Sequence, residues 1–478
     1  LSLRLLAGYI AQDFEHPGDI RAAASLDVTG DLVQRRNHVL ERSYNNLTEV
    51  GRKLLGQIAC FRSPVVFGVL VAIEQGDAET ADDDAETPPR AHSSAMPLQA
   101  NLRDLINRGL LQQDTRTTRA GQRVTLFDLH PIVRRYAYGR MIDAERATAH
   151  GQLRDYFATV PAPEKVTTLD DLAPVIELYH HMVQAGQYDE AFVLFRDRLT
   201  SPLYFQLGAY QLLIELLRAL FPQGEDQPPQ LTDESAQAWT LNTLANSYSL
   251  SGQPGAAVPL FGRVAGIDER RDDKENLAIT LGNLAHMAQL SIGALQAAEA
   301  NLRRSIALCR ETEDEFSEAI GHKELGRLLA YRGVWDEAEQ EFATALELNE
   351  SGEVIQGQGI TWGYRSQAAL LQDRSGETQA AATALAAATR AVELADETAR
   401  TIYPVERDYV RAHWLLGAAH RLNGNLTQSD THLGDALTRC RTINMVDHEA
   451  DILLDLARLR ADQGQPAEAL RLAQEALA

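Results

Sequence analysis

The feature that most constrains this chain is a recurring glycine in its second half. Glycines stand at Gly186, Gly252, Gly293, Gly333, Gly376, Gly424 and Gly464, and from Gly252 the steps are 41, 40, 43, 48 and 40 residues. Five residues after each sits a small side chain: Ala191, Ala257, Ala298, Ala338, Ala381, Ser429 and Ala469. Nine after the first six sits a large apolar one: Phe195, Phe261, Leu302, Phe342, Leu385 and Leu433. Eight before several comes a leucine followed by a small residue, as in Leu325-Gly326 and Leu416-Gly417. A fixed period of this length is the mark of stacked supersecondary units. Each unit reads as two antiparallel helices. The glycine relaxes the turn between them, the small residue lets the second helix approach the first, and the Phe or Leu fills the gap one turn later on the same face.

The segment "YRGVWDEAEQEFATAL" (331–346), with Gly333, Ala338, Phe342 and Ala345, is the clearest copy, and these units resemble tetratricopeptide repeats. The period exceeds the roughly 34 residues usual for that repeat, so longer helices are expected. Gly186 to Gly252 spans 66 residues, and the Pro/Gln/Asp-rich "FPQGEDQPPQLTDESAQ" (221–237) marks a break or degenerate unit there.

The first part reads differently. Residues 1–35 are expected to be helical with a turn at "EHPGD" (15–19). Helical spacing continues from His38 to Cys60, and a second helix is expected over Val65 to Glu74. Residues 75–97, "QGDAETADDDAETPPRAHSSAMP", are acidic and rich in small residues, and read as a disordered insertion. A third helix over 98–111 leads into a hairpin with strands at about 110–114 and 123–129 and "TRTTRAGQ" at its tip. In "FDLHPIVRRYAYGRM" (127–141), His130 and Pro131 then open another helix. Pro suits the first helical position, so His130 is either a plain N-cap or a ring placed at a helix start that can hold an anion.

"LTEVGRKLLGQIACF", "LRDLINRGLL" and "LFDLHPIVRRYA", in that order, resemble the winged-helix domain of STAND signalling ATPases, whose nucleotide-binding module is of the NB-ARC kind. "LSLRLLAGYI" likewise resembles the helical lid of that module. The resemblance covers residues 1–145. It implies that His130 contacts the β-phosphate of ADP held by an upstream domain, in the place of the family's "MHD" histidine. Here Leu129-His130-Pro131 has proline for the aspartate, so no role of that aspartate carries over.

The expected fold class is therefore mainly α: a winged-helix domain with a small β-hairpin, then an α-solenoid of tetratricopeptide-like repeats. The expected divisions are 1–35 (lid segment), 36–145 (winged helix with the 75–97 insertion), 146–230 (helical linker with a pair around Gly186) and 231–478 (repeats). The chain opens inside an apolar helical pattern and is expected to be part of a longer one.

Charge and motifs exclude several functions. Net charge is −22. Residues 1–150 hold 18 basic and 19 acidic residues and the remainder 27 and 48, so the repeats are poorly suited to nucleic acid. The wing carries Arg116, Arg119 and Arg123, which leaves DNA binding by the winged helix as an alternative function. A passive repeat scaffold is a third. The longest apolar run, 64–73, is too short to span a bilayer. No GxxxxGK[ST], HExxH, GxSxG or metal-spaced Cys/His cluster occurs. The chain is thus read as neither an enzyme nor a metal protein, with ADP or ATP and Mg expected only in an upstream domain. "DHEAD" (447–451) lacks the second zinc histidine. His180-His181 is expected to point two ways from one helix, as structural or surface residues. Cys60, Cys309 and Cys440 read as buried thiols of a cytoplasmic protein.

Concave positions lie about ten and six residues before each turn glycine, with flanking ones at thirteen and three. They give Trp239, Asn242, Asn246, Asn283, Lys323, Arg327, Ser366, Arg411, Trp414, Arg421 and Arg458 as a ligand groove. Amides and cations suit a protein or peptide ligand with acidic groups. The expected function is ligand sensing by the repeats, relayed by the winged helix to a nucleotide switch that controls oligomerisation in antiviral or stress signalling or in transcription regulation.

Overall fold

The computed structural model describes residues 2–11, 32–79, 95–117, 123–163, 165–374 and 380–477. They form two compact units, 1–199 and 200–478.

The first unit runs α1 (Ser2–Ala11), α2 (Leu32–Asn45), α3 (Glu49–Ala59), β1 (Val65–Val66), α4 (Phe67–Glu79), α5 (Ala95–Asn107), β2 (Gln112–Thr117), β3 (Arg123–Asp128), α6 (Pro131–Arg140), α7 (Asp143–Thr159), α8 (Leu169–Gln184) and α9 (Tyr188–Leu194). The expected turn at 15–19, most of the hairpin tip and residues 80–94 of the acidic insertion lie outside the described residues. The insertion's first residues, 75–79, are helical and continue α4. The helix expected from Val65 starts two residues later, because Val65 and Val66 pair antiparallel with Phe127 and Leu126. This makes the hairpin a three-stranded sheet of order β1-β3-β2. Two residues of a β-branched pair carry too little periodicity to separate strand from helix. The α3 start is capped by Thr48, whose Oγ1 accepts from Gly51 N at 3.0 Å. Leu40, Leu54, Leu55, Ile58, Leu70, Leu98, Leu105, Phe127, Leu129 and Val133 pack into one core, which Leu5 of α1 joins.

The second unit runs α10 (Tyr210–Arg218), α11 (Glu234–Leu250), α12 (Pro254–Arg270), α13 (Lys274–Asn283), α14 (Leu295–Glu311), α15 (Glu315–Tyr331), α16 (Trp335–Ser351), α17 (Ile355–Arg374), α18 (Ala380–Thr401), α19 (Glu406–Leu422), α20 (Leu426–Thr442), α21 (Val446–Asp462) and α22 (Pro466–Glu475). From α11 on these are antiparallel pairs. Gly252, Gly293, Gly333, Gly424 and Gly464 turn within pairs at φ between 73° and 81°, conformations that side chains disfavour. Gly376 lies outside the described residues.

The packing follows the repeat pattern. Ala257, Ala298, Ala338 and Ser429 are fully or almost fully buried, as are Phe261, Leu302, Phe342 and Leu433. The glycine of each Leu-Gly pair makes room for that large residue. A Cβ on Gly326 would sit 2.7 Å from the Phe342 ring, and one on Gly417 2.7 Å from Leu433 Cγ. One feature of the second unit has no sequence signal: its stack curls until α11 touches α21.

Candidate ligand-binding cavity

The first helix of each pair lines the inside of the curl. There a cavity of about 250 Å³ is bounded by Ser249 and Leu250 of α11, His286 and Met287, Lys323, Glu324 and Arg327 of α15, Ile360 and Tyr364 of α17, Arg407 and Arg411 of α19, and Asp447 and His448 of α21. Six elements thus contribute to one space. The return of α21 onto α11 closes its side.

Its floor is charged and buried. Lys323 is 7% exposed and Glu324 3%. They are adjacent on α15, with Lys323 Nζ 3.9 Å from Glu324 Oε1. The Tyr364 hydroxyl donates to Glu324 Oε1 at 3.2 Å, and Arg327 Nη1 lies 3.5 Å from Glu324 Oε2. The Tyr364 ring carries two guanidinium groups, Arg327 at 4.9 Å and Arg411 at 5.6 Å from its centroid. Arg411 is tied to Asp408 at 3.2 Å, and Asp408 accepts from Gln356 Nε2 at 2.8 Å. Arg407 pairs with Asp447 at 3.1 Å.

Burial pushes the Lys323 ammonium below its usual range. Burial opposes ionisation of Glu324, but His286, Lys323, Arg327 and Arg411 outweigh it and hold the carboxyl down at about 2. Burial raises Tyr364, and keeps it a phenol. His286 and His448 are lowered by burial. The cavity thus sets the basic side chains of Lys323, Arg327, Arg407 and Arg411 against the carboxyl groups of Glu324, Asp408 and Asp447.

Several buried polar atoms here have no hydrogen-bond partner among the described residues: Arg327 Nε, Arg411 Nε, Glu324 Oε2, Asn246 Oδ1 and Ser249 Oγ. Buried donors are nearly always satisfied. Two guanidinium N–H groups and an ammonium facing one cavity can bind an acceptor-rich anion such as a carboxylate.

The sequence-derived groove residues separate into groups. Lys323, Arg327 and Arg411 line the cavity. Asn283 donates to Asn242 at 3.4 Å and faces His286 at 3.3 Å, forming a short amide ladder, with Asn246 and half-buried Trp239 on α11 beside it. Trp414 and Arg458 line a separate, smaller concavity, where Trp414 Nε1 donates to Asp455 at 2.8 Å and Arg458 to the same carboxylate at 2.5 Å. Arg421 is held by Asp462 at 2.8 Å. Ser366 is fully buried and donates to the Ala384 carbonyl at 2.9 Å, which places it between α17 and α18. Glu324, Tyr364, Arg407, Asp447 and His448 were missed, because positions beside the assumed stripe face the cavity only once the stack curls. The buried Lys-Glu pair in "GHKELGR" (321–327) was the available signal, since buried charges are rare.

In the first unit, His130 caps α6: its Nδ1 accepts from Ile132 N at 3.3 Å, with Pro131 at the first helical position. In the neutral ring the proton then sits on Nε2, a donor at a helix start. Of the wing arginines, Arg116 pairs with Asp114 at 3.2 Å, Arg123 is exposed, and Arg119 lies outside the described residues. The three cysteines are free and buried. No helix among the described residues is long and apolar enough to cross a membrane.

Residues 408–478 match the tetratricopeptide repeat family. No curated protein matches the chain. Among solved structures, the chain is similar to a Signal Transduction ATPase with Numerous Domains (STAND) protein with a tetratricopeptide repeat sensor from Pyrococcus horikoshii. The identity is 12% and the TM-score 0.41, over 92% of this chain and 58% of that one, so this chain spans a little over half of that protein's length. It is also similar to a Rap protein complexed with competence and sporulation factor, at 15% identity and TM-score 0.45, over 70% of this chain and 90% of that one.

Proposed function

We propose that the chain is the sensing and relay region of a STAND-type signalling NTPase. In this reading the second unit binds a protein, peptide or small-molecule trigger through an acidic group. The first unit, as a winged helix, passes the event to an upstream nucleotide-binding module that holds ADP or ATP with Mg. Oligomerisation of that cytoplasmic protein is the output. The observation that carries the reading is the set of unpartnered donors in the cavity, Arg327 Nε and Arg411 Nε beside the weakly paired Lys323. The tetratricopeptide match at 408–478 supports a binding rather than catalytic role for the repeats, and the sequence resemblance of 1–145 supports the relay. A ligand drives such a switch only by differing in affinity for its two states.

The test uses an acidic tetrapeptide and its amide counterpart as fluorescent probes. The chain should bind the acidic one, and the variant Arg411→Lys, which keeps the charge beside Asp408 but removes the free Nε donor, should weaken it at least tenfold while melting as a folded protein. Equal affinity for both probes, or unchanged affinity in the variant, overturns the sensor reading. In a protein that includes the upstream module, His130→Ala should raise basal oligomerisation and nucleotide release. Unchanged values would remove His130 from the relay.

A further inference from the structure

Three histidines of the first unit converge. His150 stands on α7, His180 and His181 on α8, and one ring nitrogen of each lies within 4.8 Å of the other two. The expectation that His180 and His181 point two ways does not hold: their rings lie 5.2 Å apart, and both rest against His150. His150 Nδ1 and His181 Nδ1 are 2.9 Å apart.

The outer nitrogens decide what the inner ones offer. His150 Nε2 lies 3.0 Å from the Tyr138 hydroxyl, and that hydroxyl donates onward to Gln184 Oε1 at 3.3 Å. The phenol oxygen is then the acceptor for His150 Nε2–H. His181 Nε2 lies 3.6 Å from Glu177 Oε2, too far for a hydrogen bond, and both atoms are buried without a hydrogen-bond partner among the described residues. The other Glu177 oxygen accepts from Ser63 at 2.7 Å, which holds the carboxylate in place. His180 bonds the backbone of Cys60. Each ring therefore has an outer neighbour of the kind that orients metal-bound imidazoles: a hydroxyl, a nearby carboxylate and a backbone group.

With His150 Nε2 protonated, its Nδ1 is an acceptor lone pair, and His181 Nδ1 faces it across 2.9 Å. A proton on His181 Nδ1 serves that pair in the metal-free chain, and a bound metal ion would displace it and engage all three rings. At metal–nitrogen distances of about 2.0–2.1 Å, two nitrogens on one tetrahedral ion lie roughly 3.3 Å apart, so this pair needs to open by only a few tenths of an ångström. We propose that His150, His180 and His181 bind a divalent first-row transition ion of the zinc type, joining α7 to α8. Three imidazoles and no carboxylate at the centre select such an ion over Mg²⁺ or Ca²⁺. The Phe61 and Phe157 rings, 5.9 and 5.7 Å from the His181 ring, wall the site, and half-buried His180 provides the entry path.

The test titrates the metal-free full chain with Zn²⁺ against a chromophoric chelator. The wild type should take one ion that His150→Asn and His181→Asn each weaken at least tenfold, while His432→Asn, in the unrelated α20, leaves it. Tyr138→Phe, which keeps every ligand, should weaken it about 10-fold or more. Because the ligand variants are in a core, Co²⁺ is added to the wild type as a second readout, and visible bands of a nitrogen-bound, low-coordinate ion are expected. No Zn²⁺ bound by the wild type, equal binding in the His150 and His181 variants, or a Co²⁺ spectrum identical to the free ion overturns the site.

Discussion

Arg407 Nη1 donates to the hydroxyl of Tyr210 at 3.1 Å, across 197 positions of sequence. The same guanidinium reaches Asp447 at 3.1 Å. One side chain of α19 thus ties the opening of the second unit to its penultimate helix. Gly208 lies beside this tie at φ 57°, and a Cβ there would meet the Ile443 carbonyl oxygen at 2.2 Å. The cavity lies where the solenoid curls back on itself, with Arg407 and Asp447 on its wall.

Gly208→Ala should loosen that closure. Positive φ and a backbone clash together cost about 1–3 kcal/mol. A lower thermal midpoint and faster amide exchange in α10 and at 443–448 are expected. An unchanged midpoint would show that the contact adds nothing.

Phe342→Ala should destabilise the repeats by about 3–5 kcal/mol. Gly326→Ala, which drives a Cβ into the Phe342 ring, should cost about 1–3 kcal/mol. Combined, the two should cost less than their sum, since the new methyl occupies space the ring has left. Denaturant melts of the four proteins measure this, and strict additivity would refute the packing model.

Glu324→Gln should destabilise the second unit at neutral pH by about 3–5 kcal/mol, by leaving buried cations uncompensated. The sign of the pH dependence follows from the carboxyl, held at about 2 in the folded chain against 4.5 ordinarily. Between those values the unfolded chain takes the proton and the folded chain does not. Stability from this group is full above about pH 4.5 and lost as pH falls toward 2. The gap between wild type and variant, read by thermal melts across pH, should narrow over that window. A constant gap would contradict it.

Thr48→Ala removes the cap on Gly51 N and should cost the first unit about 0.5–2 kcal/mol. Thr48→Ser should restore it. An alanine variant as stable as the wild type would show that water replaces the cap.

The repeat was legible in the sequence because each unit solves the same local problem. Gly333, Ala338 and Phe342 answer to one turn and one helix contact, and their spacing survives in the chain as written. The His130 joint was legible for the same reason, since a cap acts within two residues. The cavity was read only in part. Lys323, Arg327 and Arg411 follow from counting back from the turn glycines. Ser366, chosen by the same count, is buried between α17 and α18, where its hydroxyl donates to the Ala384 carbonyl.

By itself the sequence determined the helix pairs, their turn glycines, the buried Ala and Phe positions and the inward line of cations, all of which rest on contacts between near neighbours. The tertiary structure alone decided which of those cations share a space. It decided that α11 meets α21, that Tyr364 stands between Arg327 and Arg411, and that His150 meets two histidines thirty residues on. Such contacts depend on the summed rotation from one repeat or helix to the next. A small angle at each step leaves no mark on local spacing, and only its accumulation through the stack brings distant side chains together.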